Sequence, residues 1–253
     1  MKKILFLIFL ISFSIFFFID PISQPQNYYN FSDKNNYLYI NNFWNVVSNI
    51  PFIIIGFIGL YENKKKKLIH DNFNSTPIYN IFFAGVLLTG FGSSWFHLNP
   101  NNATLVWDRL PMTIGFMALT VGILSEYLNR ELQKQILYPL LLVGFFSVFY
   151  WYFTEQQGRG DLRLYGLVQF LPLIIIPLIA LTHESRFSHN NGLIGVILFY
   201  LLAKFAEHYD HTIHQVLGFM SGHSIKHLLA AIATYLVLRM LKKRKRLETV
   251  NRI

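Results

Sequence analysis

Apolar residues fall in eight runs along the chain, at about 4–19, 43–61, 79–96, 107–127, 136–153, 165–181, 193–206 and 223–241. A helix needs roughly 20 predominantly apolar residues to cross a bilayer core, and most of these runs approach that length. The connections are short and polar. The pattern predicts an all-α, polytopic membrane protein: a seven-transmembrane-helix bundle preceded by one extra N-terminal hydrophobic helix. Residues 1–41 read as an N-terminal signal anchor and polar outer loop, 42–241 as the seven-helix membrane domain and 242–253 as a basic cytoplasmic tail. The anchor reads as uncleaved, because Asp20-Pro21-Ile22-Ser23 offers no small-x-small cleavage site.

Composition agrees with this picture. Hydrophobic residues make up 53% of the chain and charged residues 14%, and mean hydropathy is +0.36, which excludes an ordinary soluble domain. Cysteine is absent, so disulfides and thiolate metal sites are excluded. The net charge of +9 suggests a nucleic-acid partner, but its distribution argues otherwise. Lys2–Lys3, Lys64 to Lys67, Arg130, Lys134, Arg186 and Lys242 to Arg246 fall at alternate connections and at both termini. The opposite connections carry only Lys34, Arg159 and Arg163. This is the positive-inside pattern, and it puts both termini in the cytoplasm. The partners it implies are a membrane and a lipid, with no nucleic acid. No feature of the sequence sets an oligomeric state.

Candidate chemistry appears where polar residues interrupt the runs. Ser93 and His97 are four apart, as are His223 and His227, and such pairs lie on one helix face. Asp108 follows His97 by eleven residues. Either pair alone reads as interfacial histidines and a backbone-bonding serine. In the charge-based topology, however, His97, Asp108, His223 and His227 all fall at the outer end, with Ser93 one turn deeper. Ionisable residues in spans are expensive and mark function. Three histidines and a carboxylate suffice to hold a divalent metal with one position open. The nitrogen-rich set suits zinc best, with iron, nickel and copper also compatible.

Other features have blander readings. Glu207, His208, Asp210, His211 and His214 read as a solvated loop, with Glu207 and Asp210 as candidates for the mouth of the site or for support of its ligands. Asn45, Ser48 and Asn49 open the second run and read as capping or interhelical hydrogen-bonding groups beside the pocket. Gln169 reads the same way.

The pieces NFWNVVSN (42–49), GSSWFHL (92–98), WDRLPM (107–112) and GHSIKHLLAA (222–231) resemble the alkaline ceramidase family in order and spacing. That family sits within a wider group of seven-helix membrane hydrolases that includes adiponectin receptors. DLRLYGLVQFLP and LAKFAEHYDH resemble its bacterial branch. The likeness implies a zinc ion (Zn2+) held by His97, His223 and His227, with Ser93 and Asp108 as the catalytic pair. It implies hydrolysis of the N-acyl amide of ceramide-like lipids to a fatty acid and a sphingoid base, with the acyl chain inside the bundle. The implied location is a bacterial inner membrane with the active site near the outer face. Eukaryotic members carry an acidic calcium site before the first core helix. Here Asn42 stands where a Glu is expected and Asp33 is the acidic residue left, so calcium regulation is not expected. Two alternatives stay open: a hydrolase of another lipid amide or ester, and a non-enzymatic receptor-like protein with a structural zinc.

Overall fold

The computed structural model describes Ser14, residues 17–68 and residues 76–247. The N-terminal run at 4–19 lies largely outside the described residues, as does the end of the basic tail. Nine α-helices follow one another among the described residues: α1 (Phe43–Val47), α2 (Ile50–Lys64), α3 (Thr76–Leu98), α4 (Asn102–Tyr127), α5 (Leu132–Gln156), α6 (Arg163–Thr182), α7 (Gly192–His208), α8 (Asp210–Leu217) and α9 (Gly222–Lys243). Six spans are long and apolar enough to cross a membrane, with α1 and α2 together forming the first. The pair α7 and α8 meets at 82° and brings the total to seven when read as one broken span. The protein is thus an all-α polytopic bundle. Large apolar side chains such as Phe57, Phe146 and Leu181 face outward, as expected where the solvent is lipid.

The break between α1 and α2 has a local cause. Pro51 lies in the first turn of α2 and lacks an N–H donor, so it cannot carry the hydrogen-bond ladder of α1 onward. Ser48 and Asn49 at the break are both buried, with Ser48 N still donating to the Trp44 carbonyl (3.0 Å) and Asn49 N to that of Val46 (3.3 Å). Helix α4 starts earlier than the apolar run suggests. Asn101 Oδ1 accepts from Ala103 N (2.9 Å) and Thr104 N (3.1 Å), while Thr104 Oγ1 accepts from Asn101 N (3.2 Å). This capping box adds polar residues ahead of the apolar run, so Asp108 lies in the second turn of the helix rather than at its start.

Two glycines set the spacing around the site. A Cβ on Gly92 would lie 2.0 Å from the Trp107 carbonyl oxygen, so only glycine lets α3 and α4 approach closely beside Ser93 and Asp108. A Cβ on Gly222 would lie 2.3 Å from the Ala206 carbonyl oxygen, and glycine there seats the start of α9 in the bend between α7 and α8.

Three segments differ from their sequence-based expectations. Residues 210–217 form a helix rather than a solvated loop, because the 82° bend folds them back against the start of α9 and buries Asp210. The stretch before α1 is not a free outer loop. Gln24, Phe31 and Asp33 in it are buried, and it lies across the ends of the helices as a strap. The start of the basic tail is likewise tied down. Arg244 is fully buried, and Ser188 N donates to the Lys245 carbonyl (2.9 Å) while Leu247 N donates to that of Arg186 (2.9 Å).

Candidate metal centre

Three histidines from two helices meet at one end of the bundle. His97 sits in the last turn of α3; His223 and His227 occupy successive turns at the start of α9. Their ring centroids form a near-equilateral triangle, with sides of 4.9 Å (His97–His223), 5.0 Å (His97–His227) and 4.9 Å (His223–His227). One ring nitrogen from each lies within 4.8 Å of the others, and all three side chains are buried. Both nitrogens of His97 lack a hydrogen-bond partner among the described residues. A buried polar atom without a partner costs on the order of 1–3 kcal/mol, so three imidazoles packed together without an acid call for a ligand. Three neutral nitrogen donors match a zinc site with an open fourth position.

The surroundings orient two of these rings. Ser48 Oγ donates to the Asn45 carbonyl (3.3 Å) and lies 2.8 Å from His227 Nδ1. A metal on Nε2 requires Nδ1 to carry the proton, and the hydroxyl is placed to accept it. Asn49 Nδ2 donates to the same Asn45 carbonyl (2.8 Å). Asn45 Oδ1 accepts from Ser224 Oγ (2.7 Å) and Ser221 Oγ (3.2 Å), which ties α1 to the first turn of α9. Asp210 Oδ1 accepts from His223 N (2.7 Å) and Asp210 Oδ2 from Ser32 N (2.8 Å). One carboxylate thereby joins α8, the strap and the His223 backbone.

Ser93 lies one turn before His97 on α3, and Asp108 faces it from α4. Both are buried, and the serine hydroxyl acts on the Asp108 carboxylate from across the helix pair. The structure therefore brings Ser93, His97, Asp108, His223 and His227 to one end, with Asn45, Ser48 and Asn49 against His227 and Asp210 behind His223. Glu207 bonds Lys226 Nζ (2.7 Å), which in turn lies 3.3 Å from His223 Nε2. Of the remaining cluster, His211 Nε2 is 3.1 Å from the Asn30 carbonyl and His214 Nδ1 is 2.6 Å from Ser32 Oγ. These rings hold the strap and take no part in the triangle.

Sequence reasoning missed two participants. Lys226 stands between the paired histidines in the motif itself, and a cation in an apolar run was a usable signal. A metal on His223 Nε2 would require this ammonium to rely on Glu207. Phe31 caps the triangle, with its ring centroid 4.8 Å from that of His97 and 4.4 Å from that of His223. Phe96 adds a second wall 4.7 Å from His97. Nothing in an aperiodic polar segment marked Phe31.

Beneath the site, a cavity of 120 Å³ opens among α2, α3, α4, α7 and α9, lined by Phe52, Met112, Phe116, Tyr200 and Ala233 among others. Gln169 Nε2 donates to the Tyr200 hydroxyl (2.8 Å), an interhelical bond of the kind its sequence context suggested.

Fold and site together define a polytopic helical membrane protein with a buried three-histidine centre. The family model described as Ceramidase matches residues 27–251. The chain belongs to that family, whose members hydrolyse amide bonds in a lipid setting. No curated protein matches the chain, and no solved structure does.

Proposed function

We propose that this protein is a zinc-dependent lipid amidohydrolase that cleaves the N-acyl bond of ceramide-like lipids to a fatty acid and a sphingoid base. The observation that carries the reading is the triangle of buried, acid-free imidazoles next to the Ser93–Asp108 pair. His97, His223 and His227 would hold the ion, which supplies Lewis acidity toward a carbonyl and lowers the pKa of water.

The chain's own residues account for the rest of the reaction. Asp108 accepts a proton from the attacking water as its oxygen bonds to the carbonyl carbon. It returns that proton to the nitrogen as the carbon–nitrogen bond breaks, because an amine leaves only when protonated. Ser93 donates a hydrogen bond to the oxygen on which negative charge develops. Phe31 and Phe96 shut water out from above, which strengthens each of these polar contacts. The apolar cavity below accepts part of the acyl chain. The lysines and arginines of the alternate connections and of the tail gather at the end of the bundle opposite the histidines, where Lys242 pairs with Glu62 (3.4 Å). With the positive-inside pattern, this supports cytoplasmic termini and an active site near the outer face of a bacterial inner membrane.

Turnover of a ceramide with a short labelled acyl chain tests the reading. Asp108→Asn should retain zinc and lose about 10²–10⁴ in rate. Ser93→Ala should lose about 10²–10³ in turnover, with KM little changed, since its bond strengthens only as the oxyanion forms. Wild-type rates in Asp108→Asn would remove the proton-transfer role. A wild-type protein inert toward every lipid amide would set the reaction aside.

A further inference from the structure

A second site lies on the lipid-facing side of α6, away from the histidines. A groove of 430 Å³ runs along this helix, between it and the start of the strap. That volume lies in the range of about 300–1,000 Å³ usual for ligand sites. Its walls are mostly apolar: Ile19, Ile22, Leu162, Leu167 and Phe170. Arg163, Gly166, Leu167 and Phe170 recur at the spacing of one helix face. Phe170 and then Ile174 continue that face outward into lipid.

Arg109 stands at the head of the groove and is only 7% exposed. Its Nη2 donates to Gln24 Oε1 (2.7 Å), a neutral acceptor. Its Nη1 is sealed from solvent and has no hydrogen-bond partner among the described residues. The guanidinium lies between the rings of Trp151 (4.2 Å) and Tyr165 (4.7 Å), which offset part of its charge. No carboxylate among the described residues forms an ion pair with it; Asp108, its neighbour in the chain, acts on it only at longer range. The second cation of the groove, Arg163, is already matched by Asp161 (2.7 Å). A buried charge without a hydrogen-bonded counter-ion is costly, and an arginine with a spare N–H is suited to an anionic oxygen.

We propose that this groove binds an anionic phospholipid, with its phosphate at Arg109 and one acyl chain along Gly166, Leu167 and Phe170. Arg163 opens α6 at one end of the bundle, Arg109 lies beside it in the groove wall, and the apolar face runs on along α6 from them. That is the order of parts a bilayer lipid presents. The planar fork of an arginine matches the oxygens of a phosphate.

The test uses the full chain in nanodiscs of mixed phosphatidylglycerol and phosphatidylcholine, with native mass spectrometry of the lipid that stays bound. Wild type should retain phosphatidylglycerol over phosphatidylcholine by about tenfold or more, the scale of one charge-assisted bond. Arg109→Gln should abolish that preference. Because Arg109 is buried and its variant can misfold, Gly166→Leu gives a second reading. A Cβ at Gly166 meets nothing within 4 Å, so a leucine there starts into open space in the groove and favours the helix. It should lower retention of phosphatidylglycerol by a similar factor while zinc content and melting behaviour hold. Equal retention of the two lipids by wild type, or unchanged retention in Gly166→Leu, would overturn the proposal. Displacement of the bound lipid by palmitate at lower concentration would overturn the head-group assignment.

Discussion

The two ends of the bundle each bury a polar cluster, and the clusters are built on opposite rules. At the basic end, Arg244 donates to both oxygens of Glu126 (2.8 and 2.7 Å), and the Tyr79 hydroxyl donates to Oε1 of the same carboxylate (2.6 Å). The Phe187 ring covers the guanidinium at 4.1 Å. Charge meets opposite charge, and the bonds are made within the protein. At the other end, three bases face one another, and His97 makes no side-chain hydrogen bond among the described residues. A polar cluster that completes itself holds helices together; one left incomplete in a low-dielectric interior is prepared for something that binds there.

That contrast can be broken from either side. The largest effect should come from Arg244→Ala, which strands the Glu126 carboxylate and should cost about 3–5 kcal/mol of stability. It should leave zinc content per folded chain unchanged, since no histidine depends on it. Thermal unfolding and elemental analysis of the same sample check both halves. Loss of zinc at full stability would erase the distinction between the two ends.

A smaller effect is expected at the support of the outer cluster. Ser48→Ala removes the acceptor that fixes the His227 tautomer, and zinc affinity should fall by about 10–100-fold with little change in melting temperature of the metal-free protein. Competition with a chelator measures it. An unchanged affinity would assign Ser48 to helix packing alone.

The smallest effect should come from calcium. Asp33 accepts from Asn45 N (3.0 Å), Asn35 N (3.1 Å) and Asn35 Nδ2 (2.9 Å), and Asn42 Nδ2 donates to the His97 carbonyl (2.8 Å). Direct hydrogen bonds thus anchor the strap at the positions where the resemblance would place calcium ligands. Chelating calcium with zinc maintained should leave turnover unchanged, and loss of turnover would reveal a calcium site elsewhere.

The contrast also separates what was legible in the sequence from what was not. His97, Asp108, His223 and His227 could be assigned to one end because spans alternate in direction and i, i+4 pairs share a face. Those are local rules, and they apply to apolar helices without tertiary knowledge. Ser48 and Asn49 were visible as polar residues opening a run, but their bond to His227 spans most of the chain. The strap was illegible for the same reason. Phe31 and Asp33 lie in an Asn-rich segment with no period, and their partners are on α1, α3 and α9. Asp210 looked solvated because its segment is polar, and only the 82° bend turns its carboxylate inward. Arg244 read as one more basic residue of a tail, although Glu126 waits for it 118 positions earlier.

Elemental analysis of purified protein tests the central claim most directly, with wild type, His223→Ala and His227→Ala measured side by side. The account predicts about one zinc per wild-type chain and loss of most of it in each variant, with the Glu126–Arg244 end still folded. Full metal retention in both variants, or a wild-type protein that binds no metal when zinc is supplied, would contradict it.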